Sequence, residues 1–214
     1  WNIRGLNHLL KQEEVRRFIL LNKVAICGLL ESRTLVGNVH KIAHRMCKNW
    51  DRATNHAFSP LGRLLVMWDP SILKFEVSLM TDLAIHVKAV LGNGFVVRLS
   101  FVYGLCDYRS RRYLWKDLIF NPHLASSVPW LILGDFNASR FPQDQLNGSA
   151  RLSKAMSKFN ECLKSMEVDD IRSVGRFFTW SNKRACNFAV NKELDRVLGN
   201  WEWHKHFNDS LAHF

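Results

Sequence analysis

The sequence predicts an α/β or α+β layered domain with a mixed β-sheet, and three kinds of pattern support that fold class. Apolar residues recur with helical spacing over 11–22 and 152–166, and they alternate strictly on both sides of a central turn. Short apolar runs bounded by polar or glycine residues indicate single buried strands elsewhere. Helices interleaved with strands in this way are typical of layered domains. Two sheets packed face to face with helices outside would accommodate these elements, although periodicity alone does not establish that arrangement.

The first third of the chain is predicted to begin with a helix and a buried strand. Residues 11–22 carry a stripe of apolar side chains, Phe18 among them, with charged residues elsewhere, which indicates an amphipathic helix. The apolar run 24–30 indicates a strand that ends at Glu31. Two further strands, separated by an Asp-Pro-Ser turn, are expected over 64–68 and 73–79.

The middle of the chain carries the clearest structural pattern. Apolar residues alternate over 85–91, a Gly-Asn-Gly turn follows at 92–94, and apolar residues alternate again over 95–101. This pattern predicts a β-hairpin with one buried face. The remaining predicted elements are helices over 109–120 and 152–166, a buried strand over 130–133, a short aromatic strand over 177–180 and an extended segment over 193–198.

The charge of the chain favours a phosphate-bearing partner. Thirty lysines and arginines against 19 acidic residues leave a formal charge of +11. Such an excess raises the affinity for a phosphate backbone and the rate of encounter with it. A generally basic surface with no nucleic-acid partner is the alternative. No apolar run approaches the roughly 20 residues that cross a bilayer, so no membrane partner is expected.

The five cysteines and the first residue of the chain add two further expectations. Cys27, Cys47, Cys106, Cys162 and Cys186 lie far apart and form no CxxC pair. They are therefore expected to be ordinary packing thiols in a reducing compartment. The chain begins with tryptophan rather than methionine, which predicts a fragment or a processed product.

Polar residues follow several predicted strands, where open sheets present side chains to a ligand. They are Asn2, Glu31, Tyr103, Asp135 with Asn137, and Asp195. Each of them alone is a weak signal, because an aspartate after a strand is more often a turn or cap residue. Their order and context strengthen the signal.

Six motifs in a fixed order resemble the endonuclease/exonuclease/phosphatase superfamily, and most closely the endonuclease of plant LINE-type (non-LTR) retrotransposon polyproteins. The motifs are WNIRGLN (1–7), LLES (29–32), SFVYG (100–104), PWLILGDFN (129–137), FTWSN (178–182) and LDRVL (194–198). The resemblance covers essentially the whole chain as a single domain over 1–214. It implies a four-layer sandwich of two mixed β-sheets flanked by helices. It also implies metal-assisted phosphodiester hydrolysis with Mg²⁺, or Mn²⁺ in its place, as cofactor.

The resemblance also assigns roles residue by residue. Glu31 would be the metal ligand, with Asn2 beside it supporting the metal and the phosphate. Asp135 would position and deprotonate the attacking water. Asn137 would donate hydrogen bonds to the phosphate. The Tyr103 hydroxyl would lie against the scissile phosphate.

Further roles follow from the same resemblance. Asp195 matches an acidic residue that orients a catalytic histidine in the family. Arg4 matches a position that is often basic in the retroelement branch. Arg4 is predicted to bind substrate together with Thr179, Trp180 and Asn182, although the two aromatic residues of FTWSN are more simply explained as core or groove wall.

The sequence departs from the family pattern at both ends. The family ends in a Ser-Asp-His motif on its last core strand, and the chain contains no such tripeptide. The nearby histidines, His204, His206 and His213, are better explained as surface residues. The chain is therefore expected to be truncated, lacking part of the first strand and the last core strand, and as a fragment to be impaired or inactive.

The predicted activity is Mg²⁺-dependent nicking of DNA for target-primed reverse transcription, with a reverse transcriptase domain in the full-length polyprotein. Two alternatives stay open. One is a catalytically dead relic or DNA-binding remnant, and the other is a phosphoesterase of inositol phosphates or sphingolipids. The FTWSN and LDRVL segments favour the retroelement. By resemblance the protein is expected in the nucleus or cytoplasm and not to be secreted.

Overall fold

A computed structural model describes residues 1–120, 127–185 and 188–214 of the chain, which divides into two compact units, Trp1–Tyr103 and Gly104–Phe214. The elements of the first unit are α1 (Leu9–Leu21), β1 (Ile26–Leu30), α2 (Val36–Met46), β2 (Asp51–Thr54), β3 (Leu64–Trp68), β4 (Leu73–Met80), β5 (Ala84–Leu91) and β6 (Val96–Tyr103). The elements of the second unit are α3 (Tyr108–Phe120), β7 (Trp130–Asp135), β8 (Gln145–Leu146), α4 (Lys154–Ser165), β9 (Val168–Asp170), β10 (Ser173–Val174), β11 (Trp180–Ser181), β12 (Asn191–Lys192), β13 (Asp195–Asn200), α5 (Trp201–His206) and β14 (Ala212–His213).

The first unit stacks a helical layer on two sheets. Strand β3 pairs antiparallel with β1 on one side and β2 on the other, and Asn2 adds a parallel bridge to Leu30 that makes this sheet mixed. Apolar residues of α1 and α2 pack against one face of it, around Leu29 and Met67. The antiparallel sheet β4–β5–β6 packs on the other face, where a Cβ on Gly28 would overlap the ring of Phe101. Glycine at this position therefore allows the two sheets to approach closely.

The second unit is built on the antiparallel sheet β7–β13–β9, with α4 and α5 against it and α3 packed on α4. The ring centroids of Trp115 and Phe159 lie 4.7 Å apart, and those of Phe136 and Phe159 lie 5.3 Å apart. These three buried rings join α3 and α4 to the segment that follows β7. Two smaller sheets complete the unit, antiparallel β11–β12–β8 and parallel β10–β14.

The predicted α/β class, with mixed β-sheets flanked by helices, is confirmed. Most predicted elements are present within two or three residues of their expected bounds. The single-domain organisation over 1–214 stays a prediction. None of the described helices is long and apolar enough to cross a bilayer.

Three details of the predicted elements are wrong. Phe18 lies on the outer side of α1 and is half exposed. The hairpin of β5 and β6 is buried on both faces at Ala84–Val87. A second sheet covers one face, and the other face carries the buried polar residue His86. The aromatic strand predicted at 177–180 begins only at Trp180, and Phe177 is exposed.

Cys162 is a buried packing residue and Cys27 a half-buried one, as predicted. Burial raises the pKa of the Cys27 thiol to about 11 and that of Cys162 to about 12. Both are therefore protonated and unreactive near neutral pH. Cys106 is exposed, and Cys186 lies outside the described residues.

Candidate active site

Glu31 directly follows β1, and backbone hydrogen bonds fix its place. The chain around Asn2 runs beside β1, with Ile3 N donating to Leu30 O at 3.0 Å and Gly5 N donating to Glu31 O at 2.7 Å. Glu31 has a φ of +52°, in the left-handed region that non-glycine residues seldom adopt. The backbone therefore turns at Glu31 in a strained conformation, held by the paired segment beside it.

The Glu31 carboxylate receives hydrogen bonds from three side chains of the first unit. Asn2 Nδ2 donates to Oε1 at 3.2 Å, and the Tyr103 hydroxyl donates to the same oxygen at 3.0 Å. The guanidinium of Arg33 pairs with Oε2. The side chain of Glu31 is 13% exposed, whereas that of Arg33 is 63% exposed. The structure thus brings three predicted site residues, Asn2, Glu31 and Tyr103, into direct contact.

These contacts keep Glu31 ionised. Burial acts to raise its pKa, but the hydrogen bonds from Asn2, Tyr103 and Arg33, together with the charge of Arg33, hold the pKa of Glu31 below its usual value. A carboxylate that stays charged at neutral pH while partly shielded from water is suited to hold a cation.

The oxygen atoms around Glu31 are of the kind that binds a hard divalent cation. Carboxylate, amide and phenol groups offer oxygen atoms, the ligands that Mg²⁺ prefers. A carboxylate has about four lone-pair positions, so three hydrogen bonds leave room for a further partner. No group of three or more His, Cys, Asp or Glu side chains suited to a metal is found among residues 1–120, 127–185 and 188–214. Mg²⁺ commonly binds through only one or two carboxylates, with water and substrate phosphate as its other ligands.

In the second unit, Asp135 ends β7 and is 5% exposed. Its Oδ1 accepts a hydrogen bond from the backbone N–H of Asn137 at 2.9 Å. Asn137 has a φ of +49°, and its Nδ2 donates to Gly104 O at 2.7 Å. Gly104 N donates in turn to Asp135 O at 2.6 Å. Three short hydrogen bonds, each with at least one backbone atom, therefore join Asp135, Asn137 and Gly104.

Gly104 and Arg111 hold this segment from two sides. A Cβ on Gly104 would overlap the carbonyl group of Phe136, so the close approach of the two backbones requires glycine. Arg111 on α3 is 5% exposed and donates to the carbonyl oxygens of Asn137 and Leu105. The Arg111 guanidinium also interacts electrostatically with Asp135. A buried cation thus lies near the buried carboxylate.

Asp195 is the antiparallel partner of Asp135 across β13 and β7. Directly opposed residues have Cβ atoms about 4.5–5.5 Å apart, and like charges in that arrangement destabilise a sheet. Thr179 fixes the start of β13, because its Oγ1 accepts hydrogen bonds from Leu194 N and Asp195 N, both at 3.1 Å. Two carboxylates in register at the ends of neighbouring strands are a combination that functional sites often contain.

The neighbouring residue, Arg196, anchors β13 through its opposite face. Its guanidinium is 3% exposed and pairs with Asp144 at 2.5 Å, Glu193 at 2.8 Å and Asp170 at 3.0 Å. Removing one partner from such a buried network of ion pairs would strongly destabilise the fold. The strand that carries Asp195 is therefore fixed in register and orientation.

The other predicted substrate-binding residues are Arg4, Trp180 and Asn182. Arg4 is exposed in the first unit with a φ of +48°. Trp180 is half-buried in β11 and pairs with Lys192. Asn182 organises the loop after β11, since its Oδ1 accepts from Val190 N at 3.0 Å and its Nδ2 donates to Phe188 O at 2.8 Å. Their contact with a substrate stays a prediction.

Sequence reasoning missed Arg33 and Arg111, and it included Gly104 in the SFVYG motif without giving it a role. Arg111 shares the buried face of α3 with Leu114, Trp115 and Leu118. An arginine on the apolar stripe of a helix was therefore a visible signal for a buried functional or structural cation. Arg33 gave no such signal, because its contact with Glu31 depends on the left-handed backbone of both residues.

The family model that matches this chain is described as the Endonuclease/Exonuclease/phosphatase family and matches residues 1–205. No curated protein matches the chain in sequence. Solved structures do match in fold. Their sequence identities to this chain, given below, are under 25%, so they show the fold alone.

The endonuclease domain of TRAS1, a telomere-specific non-LTR retrotransposon, is 13% identical over 92% of this chain and 83% of that chain, with a TM-score of 0.69. The AP endonuclease LMAP from Leishmania major is 14% identical over 94% and 78% of the two chains, with a TM-score of 0.67. The mannosyl-6-phosphatase Bt3783 of Bacteroides thetaiotaomicron is 9% identical over 94% and 83%, with a TM-score of 0.59.

The family match spans both the Glu31 contacts of the first unit and the Asp135 and Asp195 contacts of the second. The chain belongs to the endonuclease/exonuclease/phosphatase family.

Proposed function

We propose that this chain is a nuclease that hydrolyses phosphodiester bonds of DNA with Mg²⁺, or Mn²⁺, as its cofactor. The observation that carries the proposal is the Glu31 carboxylate, which Asn2, Tyr103 and Arg33 hold in an ionised state. The family contains both nucleases and phosphatases, which share phosphoester hydrolysis. The net charge of +11 favours a polyanionic substrate over a small one.

The residues of the chain have distinct parts in this reaction. Glu31 and Asn2 would hold the divalent cation, which when bound neutralises charge that develops on the phosphoryl oxygens. Asp135 would accept the proton of the attacking water. Asn137 would offer its amide to a phosphate oxygen. Asp195, held in register opposite Asp135, would add negative charge that favours a protonated partner near it.

We further propose that the cleaved DNA serves a plant non-LTR retrotransposon. The motifs WNIRGLN, GDFN, FTWSN and LDRVL support this origin, as does the fold shared with the TRAS1 endonuclease domain. Nicking would expose a DNA end from which a reverse transcriptase in the same polyprotein primes synthesis. By the same resemblance the protein would act in the nucleus or cytoplasm.

The direct test is the conversion of supercoiled plasmid to open circles in Mg²⁺. The wild-type chain should nick the plasmid at the reduced rate expected of a chain that contains no Ser-Asp-His tripeptide, and EDTA should abolish the reaction. Glu31→Gln and Asp135→Asn should each reduce the rate about 10²–10³-fold, since each removes a charge on which the reaction depends. Glu76→Gln, an exposed change on β4 with the same chemistry, should leave the rate unchanged.

A wild-type rate no higher than that of Glu31→Gln would contradict the proposal. The phosphoesterase alternative is favoured by the fold shared with a sugar phosphatase. Under that alternative an inositol phosphate or a sphingolipid would be hydrolysed, while the plasmid stayed supercoiled. Plasmid binding without nicking would instead indicate a DNA-binding protein without turnover.

A further inference from the structure

The first unit contains a basic cleft at the opposite end of β1 from Glu31. The cleft has a volume of about 710 Å³ and is lined by the ends of α1 and α2, the segment after α2, and the turn between β3 and β4. Val24, just before β1, lies in its wall. At about 3.3 Å per residue, β1 places the cleft roughly 17 Å from Glu31. The cleft is therefore distinct from the Glu31 site.

Four cationic side chains line this basic cleft, namely Arg16, Lys23, Arg45 and Lys48, and all four are exposed. Among the described residues that line it, Asp69 is the one carboxylate, so the local formal charge is +3. Arg16 pairs with Glu13 within α1, and Arg45 of α2 donates a hydrogen bond to Gln12 of α1. The cations come from α1, from α2 and from the segments that follow them, so they surround the cleft rather than follow one helix face.

Asp69 is engaged by its own turn. Its Oδ1 accepts hydrogen bonds from the Ser71 hydroxyl at 2.7 Å and from Ser71 N at 2.9 Å. These bonds from Ser71 hold the pKa of Asp69 below its usual value. The carboxylate therefore fixes the turn between β3 and β4.

Trp50 forms an aromatic wall of the basic cleft. It is half-buried and packs on the apolar core beneath α1 and α2. Buried Ile19 and Met46 line the cleft with it. An aromatic face beside several cations is the combination that binds single-stranded nucleic acid, with phosphates on the cations and a base stacked on the ring. In a duplex the base faces are already stacked, so only an unpaired base offers its face to Trp50.

We propose that the basic cleft binds a short segment of single-stranded nucleic acid, with phosphates on its four cations and one base against Trp50. This site goes beyond the proposed nuclease function and does not depend on it. The cations have another physical role, since α1 and α2 both end here and positive charge stabilises a helix C-terminus. That role alone would make the variants below less stable without changing their affinity for a strand.

The test measures the anisotropy of a labelled single-stranded 12-mer of thymidine in EDTA, in which metal-dependent cleavage is excluded. The double variant Lys23→Gln/Lys48→Gln removes two of the cations. It should bind about tenfold more weakly at 0.1 M salt, and the slope of log affinity against log salt should fall by roughly 1.4. The matched control Lys74→Gln/Lys88→Gln removes two exposed lysines from β4 and β5 and should bind like wild type.

A second pair of variants tests the base contact. Trp50→Leu should weaken binding at least fivefold, because stacking contributes about 1–3 kcal/mol per base. Trp50→Phe, which keeps a ring, should retain most of the affinity. Thermal unfolding of each variant separates lost folding from lost binding. Equal affinity of the two double-lysine variants would overturn the proposal, as would a hairpin duplex that competes as well as the single strand. Because plasmid nicking in Mg²⁺ is measured separately, its absence would count against the nuclease and leave this result intact.

Discussion

Glu31 and Asp135 are both carboxylates at the end of a strand, but the chain holds them by different means. Around Glu31 the contacts are made by side chains: Asn2, Tyr103 and Arg33 each donate to the carboxylate. Around Asp135 they are made chiefly by the backbone, through Asn137 N and the pairing with Gly104. The first environment can be altered one hydrogen bond at a time, whereas the second changes only when the chain path changes.

This difference implies that the two sites respond differently to mutation. A substitution near Glu31 should shift charge and pKa while the fold is kept. A substitution at the backbone contact near Asp135 should act on folding first, because close-packed backbone cannot relax locally. Three predictions test this contrast, from the largest expected effect to the smallest.

Gly104→Ala should have the largest effect. The added methyl would overlap the Phe136 carbonyl group, which lies between Asp135 and Asn137. We expect the free energy of unfolding to fall by about 2–3 kcal/mol, and nicking to be lost with it. Gly92→Ala is the matched control, since a Cβ there meets no atom within 4 Å. Urea denaturation measures the free energy of unfolding of both variants. Equal stability of the two would contradict the view that close backbone contacts hold Asp135 in place.

Tyr103→Phe should have an intermediate effect that depends on pH. It removes the hydroxyl that donates to Glu31 Oε1 at 3.0 Å. A hydrogen bond to a charged group contributes about 1.5–3 kcal/mol, so the variant should be less stable by about that amount at pH 7. The pKa of Glu31 is lowered in the folded chain, so this contribution is present above the ordinary glutamate value of 4.5 and is lost as pH falls below it.

The stability curves of wild type and Tyr103→Phe should therefore converge in acid. Thermal unfolding between pH 3 and pH 7 measures the gap. Tyr113→Phe, at a residue that is 69% exposed on α3, is the control and should show no gap at any pH. A gap that stays constant down to pH 3 would mean that the hydroxyl stabilises the fold by some contact other than ionised Glu31.

Arg33→Gln should have the smallest effect on folding. The Arg33 side chain is 63% exposed, and ion pairs of exposed side chains contribute only about 0–1 kcal/mol. We expect a loss below 1 kcal/mol that shrinks further in 0.5 M salt. Arg16→Gln, which breaks the exposed pair with Glu13, offers a comparison of similar size. A loss larger than that of Tyr103→Phe would show that Arg33 rather than the phenol dominates the Glu31 environment.

Much of the fold could be predicted because its patterns are local. The alternation around Gly92–Gly94 and the apolar run before Asp135 led directly to β5, β6 and β7. Helix α2 was missed, although Val39, Ile42, Ala43 and Met46 share its buried face. Its first turn contains Gly37 and Asn38, and its apolar face includes β-branched residues, so the helix propensity of this segment is weak. The helix forms because its apolar face packs on the core.

The candidate site could be predicted only in part, because motifs report residues and not their contacts. The order of the motifs singled out Glu31 and Asp135. It did not reveal that Arg33 returns to Glu31, nor that Arg111 supports the carbonyl of Asn137, since both contacts depend on the folded chain path. The opposition of Asp135 and Asp195 likewise needed the register of β7 and β13.

The left-handed backbone of Glu31 has a consequence for how the protein could be stabilised. A non-glycine residue with long side chain in that conformation costs about 1–2 kcal/mol, and Asn or Gly would relieve most of it. Glu31→Asn should therefore favour the backbone while erasing the charge. It would also give up the contacts of the carboxylate with Asn2, Tyr103 and Arg33, and a single hydrogen bond to a charged group contributes about 1.5–3 kcal/mol. The contacts of the carboxylate therefore outweigh the strain of its own backbone, so the turn at residue 31 is fixed by side chains that lie far away in the sequence and not by local backbone preference.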